Sequence, residues 1–557
     1  MEQNIQGRRK RPKLRKELTF AQLILIGVVG SLGNGALFGT IEMVAGAGPG
    51  AIIGFIFGAI IYSFLGLTYM ELSRVYPEAG GPTRYTIYTH GRWTNMINAM
   101  ADIVWYLFIP PVEVVAILLG FNYFDPIFMT SAGAPTYYGV LAGVALLLAF
   151  VPFNYFGIKQ FGKSTLITGL VKLFFYLSLV IGLIAVVFNY KDLYAYNGVL
   201  PYGGTAIFAI MPFAMYDFGA TRVIPDLAEE AKLKDKVPKA IFLTIIIESL
   251  IYIGVAVAIL MGTNWSALGT PVGHFSALTA KGSTLNGQNP FFVFSKDSGS
   301  FYVFIAAVVT GLLAPFVTGY IYLGSGTRVL FSMGRSGYIH KSLKNINPKH
   351  AIPVVSLVIF AIVGAIVVFV AAPVPSIYTF IDDATAAGYI GLVSTPVALM
   401  VTRRQGITQD KDKVRGMWFF APAAMGLGSL IVFWTGFTSL SYAVILIAAG
   451  SIIFGAISRV KIGAKNAIWY VLYIAFALFM TATSNDGLKA SQFPQIFSYL
   501  EGTIIVLIVT IAVFYPWGIL SGFKEQFSHK EWTDPYKNMA TEGTPAEMPL
   551  DSVAEKQ

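Results

Sequence analysis

Two stretches of this chain put glycine, proline and ionisable residues inside apolar segments where a regular helix should run. The first covers residues 26–39 and centres on Gly33, Asn34 and Gly35; the second covers 207–220 and holds Pro212, Phe213, Tyr216, Asp217 and Gly219. Glycine and proline at that density interrupt a helix. Unpaired backbone in lipid costs several kcal/mol per group, so the interruptions have to line a protected cavity. At Gly33, Asn34 and Gly35, free N–H groups and the positive end of the following half-helix can hold a carboxylate without a charged side chain. Ser31 joins this candidate set. In the second stretch, freed carbonyls can take an ammonium group, Phe213 and Tyr216 supply an aromatic lid, and Asp217 is an intramembrane carboxylate. Paired interruptions of this kind are the mark of a transporter's substrate site.

Other buried charges add a second chemistry. Lys172 falls about eight residues into an apolar run starting near 164, roughly 12 Å into a core about 30 Å thick. Burial there opposes its charged form, which suits a proton-coupled cycle; the competing role is a structural ammonium capping the carbonyls of a broken helix. Glu113 follows Pro110 and Pro111, and Glu248 lies mid-segment; each is a candidate proton carrier or partner for Lys172. The five histidines, at 90, 274, 340, 350 and 529, are assigned to loops or the tail, so a histidine relay within the membrane is not expected.

The elements positioning these residues are membrane helices. The chain is 55% hydrophobic and 12% charged over 557 residues, with a mean hydropathy of +0.66. About 14 apolar runs of roughly 20 residues can be marked out between residues 20 and 521. The net charge of +10 is carried by alternate loops and by the tail at residues 8–16. That is the positive-inside pattern, with both termini cytoplasmic, and not a nucleic-acid footprint. With no cysteine, there is neither a disulfide framework nor a thiolate metal site, and no metal or cofactor is expected.

Two motifs have plainer readings. Residues 157–164 match the phosphate-binding loop pattern, yet they join one membrane run to the next with no strand before them, which excludes nucleotide binding. Gly46, Gly50, Gly54 and Gly58, four apart and assigned to the second span, form a packing face. No nucleophile, metal cluster or paired catalytic acids share a segment, so an enzyme is not expected.

The glycine motif at 30–39, Ala47-Gly-Pro-Gly50, residues 71–82, Ala228-Glu-Glu230 before residues 236–240, Thr327 to Phe331 and Pro353 together resemble the amino acid, polyamine and organocation (APC) superfamily of permeases. The resemblance covers residues 18–402. It implies an all-α integral membrane fold whose core is two inverted repeats of five helices, with the first and sixth broken at a shared site. It also implies that Gly33, Asn34 and Gly35 receive a substrate carboxylate, that Tyr216 gates, that backbone near Gly219 takes the amino group, and that Lys172 stands where sodium-coupled relatives hold an ion. One departure is Ala220-Thr221-Arg222, where many relatives carry Gly-Phe-Glu; Arg222 reverses the charge and calls for an acidic partner.

The expected organisation is a basic cytoplasmic tail (1–17), a ten-helix transport core (18–402), four further membrane helices (403–521) and a polar tail (522–557). The expected function is secondary active transport of an amino acid across the plasma membrane, coupled to a proton. A polyamine or organic-cation transporter is the alternative, favoured if Glu113 and Asp217 line the pocket; a channel or sensor on the same fold is a further one.

Overall fold

A computed structural model describes residues 12–524 apart from 132, 195–196, 266–267, 269, 281–284, 286–287, 372–376, 458–462 and 486–492. The basic residues at 8–11 and the tail beyond 524 lie outside the described residues. The protein is an all-α integral membrane protein. Among the described residues 12 helices are long and apolar enough to cross a bilayer, or 13 counting one bent pair. A shorter apolar helix, Val354–Phe369, follows the same pattern. Among the described residues the strand structure is a parallel pair of two-residue strands, Ser484–Asn485 with Phe497–Ser498.

The bent pair is the first interrupted segment. Helix α1 (Phe20–Ser31) starts on a capping box, in which Thr19 Oγ1 accepts the Gln22 N–H and Gln22 Oε1 accepts the Thr19 N–H at 2.9 Å. It stops at Leu32; after Gly33 and Asn34 the backbone passes through a π-turn, Gly35–Gly39, into α2 (Thr40–Ala47), with a 48° bend. Continuous spans follow: α3 (Gly50–Val75), then, after the short α4 (Gly81–His90), α5 (Arg92–Phe124). Helices α6 (Tyr137–Ala149) and α7 (Val151–Tyr155) lead to α8 (Ile158–Val187).

The second interruption is milder than its composition suggests. Helix α9 (Ala206–Asp217) runs unbroken through Pro212; the chain then tightens into a 3-10 turn, Phe218–Arg222, before α10 (Val223–Asp226). Side-chain hydroxyls stabilise this stretch, with Tyr389 donating to the Met215 carbonyl at 2.9 Å and Tyr252 to the Asp217 carbonyl at 2.8 Å. The chain continues as α11 (Val237–Gly262), α12 (Pro290–Asp297), α13 (Phe301–Arg335), α14 (Val354–Ala371), α15 (Ile377–Leu392) and α16 (Ser394–Arg404). Helices α17 (Met417–Trp434), α18 (Gly436–Ile457), α19 (Ala464–Thr483), α20 (Tyr499–Val509) and α21 (Tyr515–Ser521) complete the fold.

Helix α5 is buried along nearly its whole length and packs on α13 and α15. Helix α8 shows how sequence sets position. Its buried residues Phe161, Thr165, Gly169, Lys172, Tyr176, Leu179 and Leu183 recur every three or four positions, which is one helical face. The opposite face exposes Ile167, Leu170, Phe174 and Ile181, side chains suited to lipid. Because α8 begins at Ile158, Lys172 sits at its midpoint, deeper than the sequence estimate. The glycine face packs on α9: a Cβ at Gly54 would stand 2.9 Å from Ile210, and one at Gly58 2.9 Å from Phe218. Gly46, assigned to the second span, belongs to α2 instead and also meets Ile210 at 2.9 Å.

Histidine 90 is a second correction. It ends α4 and is buried, its Nε2 2.8 Å from the Gly518 carbonyl and its Nδ1 2.9 Å from Thr89 Oγ1. Burial lowers its pKa to about 4.

Candidate functional site

The two interruptions face each other across a cavity of about 10 Å³, room for a single water. From the first come Gly30, Ser31, Asn34 and Gly35; from the end of α9 come Tyr216 and Asp217. Two continuous helices close the sides, α5 with Ile109 and Glu113 and α13 with Thr318 and Tyr322. Each of these pairs is spaced i, i+4, so both members share a face.

The amide freed at the break is in use. Asn34 N–H donates to the Glu113 carboxylate at 2.9 and 3.2 Å. Gly33 makes this approach possible, since a Cβ there would lie 2.8 Å from Glu113 Cδ and 2.8 Å from Thr318 Cγ2. Tyr216 O–H donates to Asn34 Oδ1 at 3.2 Å, joining the two interrupted segments, while Asn34 Nδ2 has no partner. A Cβ at Gly35 would overlap Asp217 Oδ1 and stand 2.7 Å from the Tyr216 ring.

The carbonyls at the end of α1 are also satisfied. Lys172 Nζ donates to Val29 O at 2.5 Å, Ala314 O at 2.9 Å and Thr318 Oγ1 at 2.9 Å. An ammonium suits the negative end of a helix dipole, and three acceptors use its three protons. Ser31 Oγ donates to Glu248 at 2.5 Å, and Thr221 Oγ1 donates to the other Glu248 oxygen at 2.8 Å, so this carboxylate ties α1 to the turn after α9. Both oxygens of Asp217 are buried and accept no hydrogen bond.

Phe213 and Gly219 do not line the cavity. Phe213 packs toward Gly39, and Gly219 lies against Trp105, where a Cβ would collide with the indole. Trp105 also fills the space left by Gly388 and lies with its ring 5.5 Å from that of Tyr216. Sequence reasoning missed Gly30, Ile109, Thr318 and Tyr322. The last three belong to uninterrupted helices, and the helical spacing from Glu113 to Ile109 was the available signal.

Arg222 finds its acid in Asp102. The two form a buried ion pair, Thr83 Oγ1 donates to Asp102 at 2.9 Å, and the guanidinium lies over Trp105 and Tyr106 at 5.5 and 5.8 Å. Tyr106 O–H in turn bonds Asp226. Farther along, Arg328 binds Glu230 bidentately at 2.8 and 2.9 Å, and Arg335 binds Glu229 at 2.8 and 3.2 Å. The N-terminal segment seals the same side, with Glu17 and Leu18 N–H donating to the Glu230 carbonyl. Burial raises the Glu230 pKa against the opposing pull of Arg328.

An apolar helical shell around a buried polar cavity between two interrupted spans is the architecture of an integral membrane transporter. The profile of the amino acid permease family matches residues 18–439. The chain belongs to that family, within the APC superfamily, and is a secondary transporter, not an enzyme. It is 22% identical to the glutamate/serine transporter AimA of Bacillus subtilis over 92% of this chain and 95% of the relative. The aspartate-proton symporter of the same organism is 24% identical over 78% of this chain and 82% of its own length. The branched-chain amino acid permease BcaP, also from Bacillus subtilis, is 25% identical over 70% and 82%.

Proposed function

We propose that this protein imports an amino acid together with a proton, by alternating access at the cavity between the interrupted spans. The observation that carries this reading is Glu113 on the Asn34 amide: a carboxylate already occupies the donor freed by the first break. A substrate carboxylate takes the same donor when Glu113 withdraws. Protonation favours that withdrawal, because a neutral acid accepts a hydrogen bond less strongly than a carboxylate, so proton and substrate enter together. Lys172 ties the end of α1 to α13; loss of its proton weakens that tie and lets α1 move. The relative named as an aspartate-proton symporter supports proton coupling.

The cavity is smaller than any amino acid, so admission requires the interrupted spans to part from α5 and α13. In this reading residues 18–402 form the inverted-repeat core and 403–521 pack beside it. The protein sits in the plasma membrane with both termini cytoplasmic.

One observation favours a second reading. Glu113 and Asp217 both line the cavity, which suits a polyamine or another organic cation. Uptake of labelled amino acids and polyamines into vesicles holding the purified protein, with and without an inward proton gradient, separates the two. Wild type is expected to concentrate an amino acid only with the gradient, and Lys172→Ala to lose that response while still exchanging substrate. Accumulation of polyamines alone, or indifference to the gradient, would overturn the substrate or the coupling.

A further inference from the structure

Of the three carboxylates in or beside the cavity, Asp217 is the one without a donor among the described residues. Glu113 has the Asn34 amide and Glu248 has two hydroxyls, yet neither Asp217 oxygen accepts a hydrogen bond although the residue is 1% exposed. Asp217 is the last residue of α9, where the chain tightens into the 3-10 turn Phe218–Arg222. The neighbouring carbonyls are already engaged: Met215 O by Tyr389, and Asp217 O by Tyr252, which also reaches Ser31 O at 3.1 Å. The Asp217 side chain is therefore the acceptor still open to a ligand's ammonium group, and the missing Cβ at Gly35, which would overlap Oδ1, lets this carboxylate sit against the first interruption.

We infer that Asp217 binds the substrate's ammonium group directly, and that it thereby selects amino acids with neutral or cationic side chains against acidic ones. This rests on the transport reading above and deepens it. With the ammonium on Asp217, the α-carboxylate on the Asn34 amide and Lys172 bonded to two carbonyls and a hydroxyl, a second substrate carboxylate enters a desolvated space with no cation to pair it, and an unpaired buried charge is strongly disfavoured. Asn34 Nδ2, also without a partner, is a second donor for the α-carboxylate.

The test is a binding titration, read by thermal shift and by competition in vesicles, of wild type and Asp217→Asn with L-serine, L-leucine, L-lysine, L-glutamate, L-lactate and putrescine. At least one of serine, leucine and lysine is expected to bind wild type at least tenfold more tightly than glutamate, with lactate, which lacks the ammonium, not binding. Asp217→Asn is expected to weaken the bound amino acid roughly 10- to 100-fold, the worth of a hydrogen bond to a charged group, and to shrink the discrimination against glutamate. Glutamate binding wild type as tightly as the best neutral or cationic ligand overturns the inference without recourse to a variant. So does a folded Asp217→Asn protein with unchanged affinities, which leaves the transport reading intact. Putrescine binding alone, lost in the variant, keeps Asp217 as the ammonium site and overturns the amino acid reading; no binding by any ligand overturns both.

Discussion

Gly33→Ala tests how closely Glu113 is seated. The added methyl would fall 2.8 Å from both Glu113 Cδ and Thr318 Cγ2, inside van der Waals contact, so the carboxylate has to leave the Asn34 amide. Losing a hydrogen bond to a charged group costs about 1.5–3 kcal/mol, and overpacking adds about 1–3 kcal/mol. The narrower unfolded ensemble of alanine returns about 0.4–1 kcal/mol. The net expectation is a loss of roughly 2–5 kcal/mol, seen as a lower unfolding midpoint of the purified protein in detergent, together with weakened substrate binding. Glu113→Ala removes the obstruction, so the double variant should be more stable than the sum of the single effects, by about 1 kcal/mol or more. A Gly33→Ala protein that unfolds and binds like wild type, or a strictly additive cycle, would refute the proposed contact between this carboxylate and the break.

Arg222 and Asp102 are expected to behave as a unit: Arg222→Ala alone leaves a buried carboxylate unpaired and should cost about 3–5 kcal/mol, whereas Arg222→Met with Asp102→Leu should be close to neutral. Unfolding midpoints of the single and double variants check this, and a double-variant loss equal to the sum of the single losses would show that the pair is not coupled. His90 sets an acid limit. Its folded pKa of about 4 lies below the ordinary 6.5, so the unfolded chain binds the extra proton between these values, and stability falls as pH drops through that window. The full contribution is about 3 kcal/mol. His90→Gln should flatten the midpoint between pH 7 and 4, and an unchanged slope would contradict a buried neutral imidazole.

What could be read from the sequence was what breaks a helix. Gly33 and Gly35 announce the first interruption because glycine both disfavours the helix and admits close neighbours, and the structure puts Glu113 and Asp217 against those two positions. Pro212 was a poorer guide, since α9 continues through it and the chain tightens only at Phe218. The partners of the break were harder to see. Thr318, Tyr322 and Ile109 come from helices that look like any other apolar span, and only tertiary packing turns them to the cavity. The same holds for Asp102, the partner of Arg222, separated from it by 120 positions. His90 misled for the opposite reason: a polar residue beside Gly91 reads as loop, yet the Gly518 carbonyl and Thr89 hydroxyl satisfy it in a buried place.

The buried acids divide by partner. Asp102, Glu229 and Glu230 are each held by a guanidinium. Two of these arginines, Arg328 and Arg335, lie on the continuous α13, whereas Glu229 and Glu230 follow α10. Separating such a pair leaves an uncompensated buried charge unless water reaches both ends, so this side opens only if the gap hydrates as the elements part. Glu113, Asp217 and Glu248 have no cation within ion-pair distance among the described residues, and Lys172 spends its protons on two carbonyls and a hydroxyl. Charge is thus balanced where the protein closes on itself and left unbalanced where the two interrupted segments meet. In the proposed cycle a proton on Glu113 or an ammonium on Asp217 corrects that imbalance, and each arrives with the transported species. On that reading the same groups that make the cavity costly when empty of positive charge supply the free energy that binding uses to part the interrupted segments.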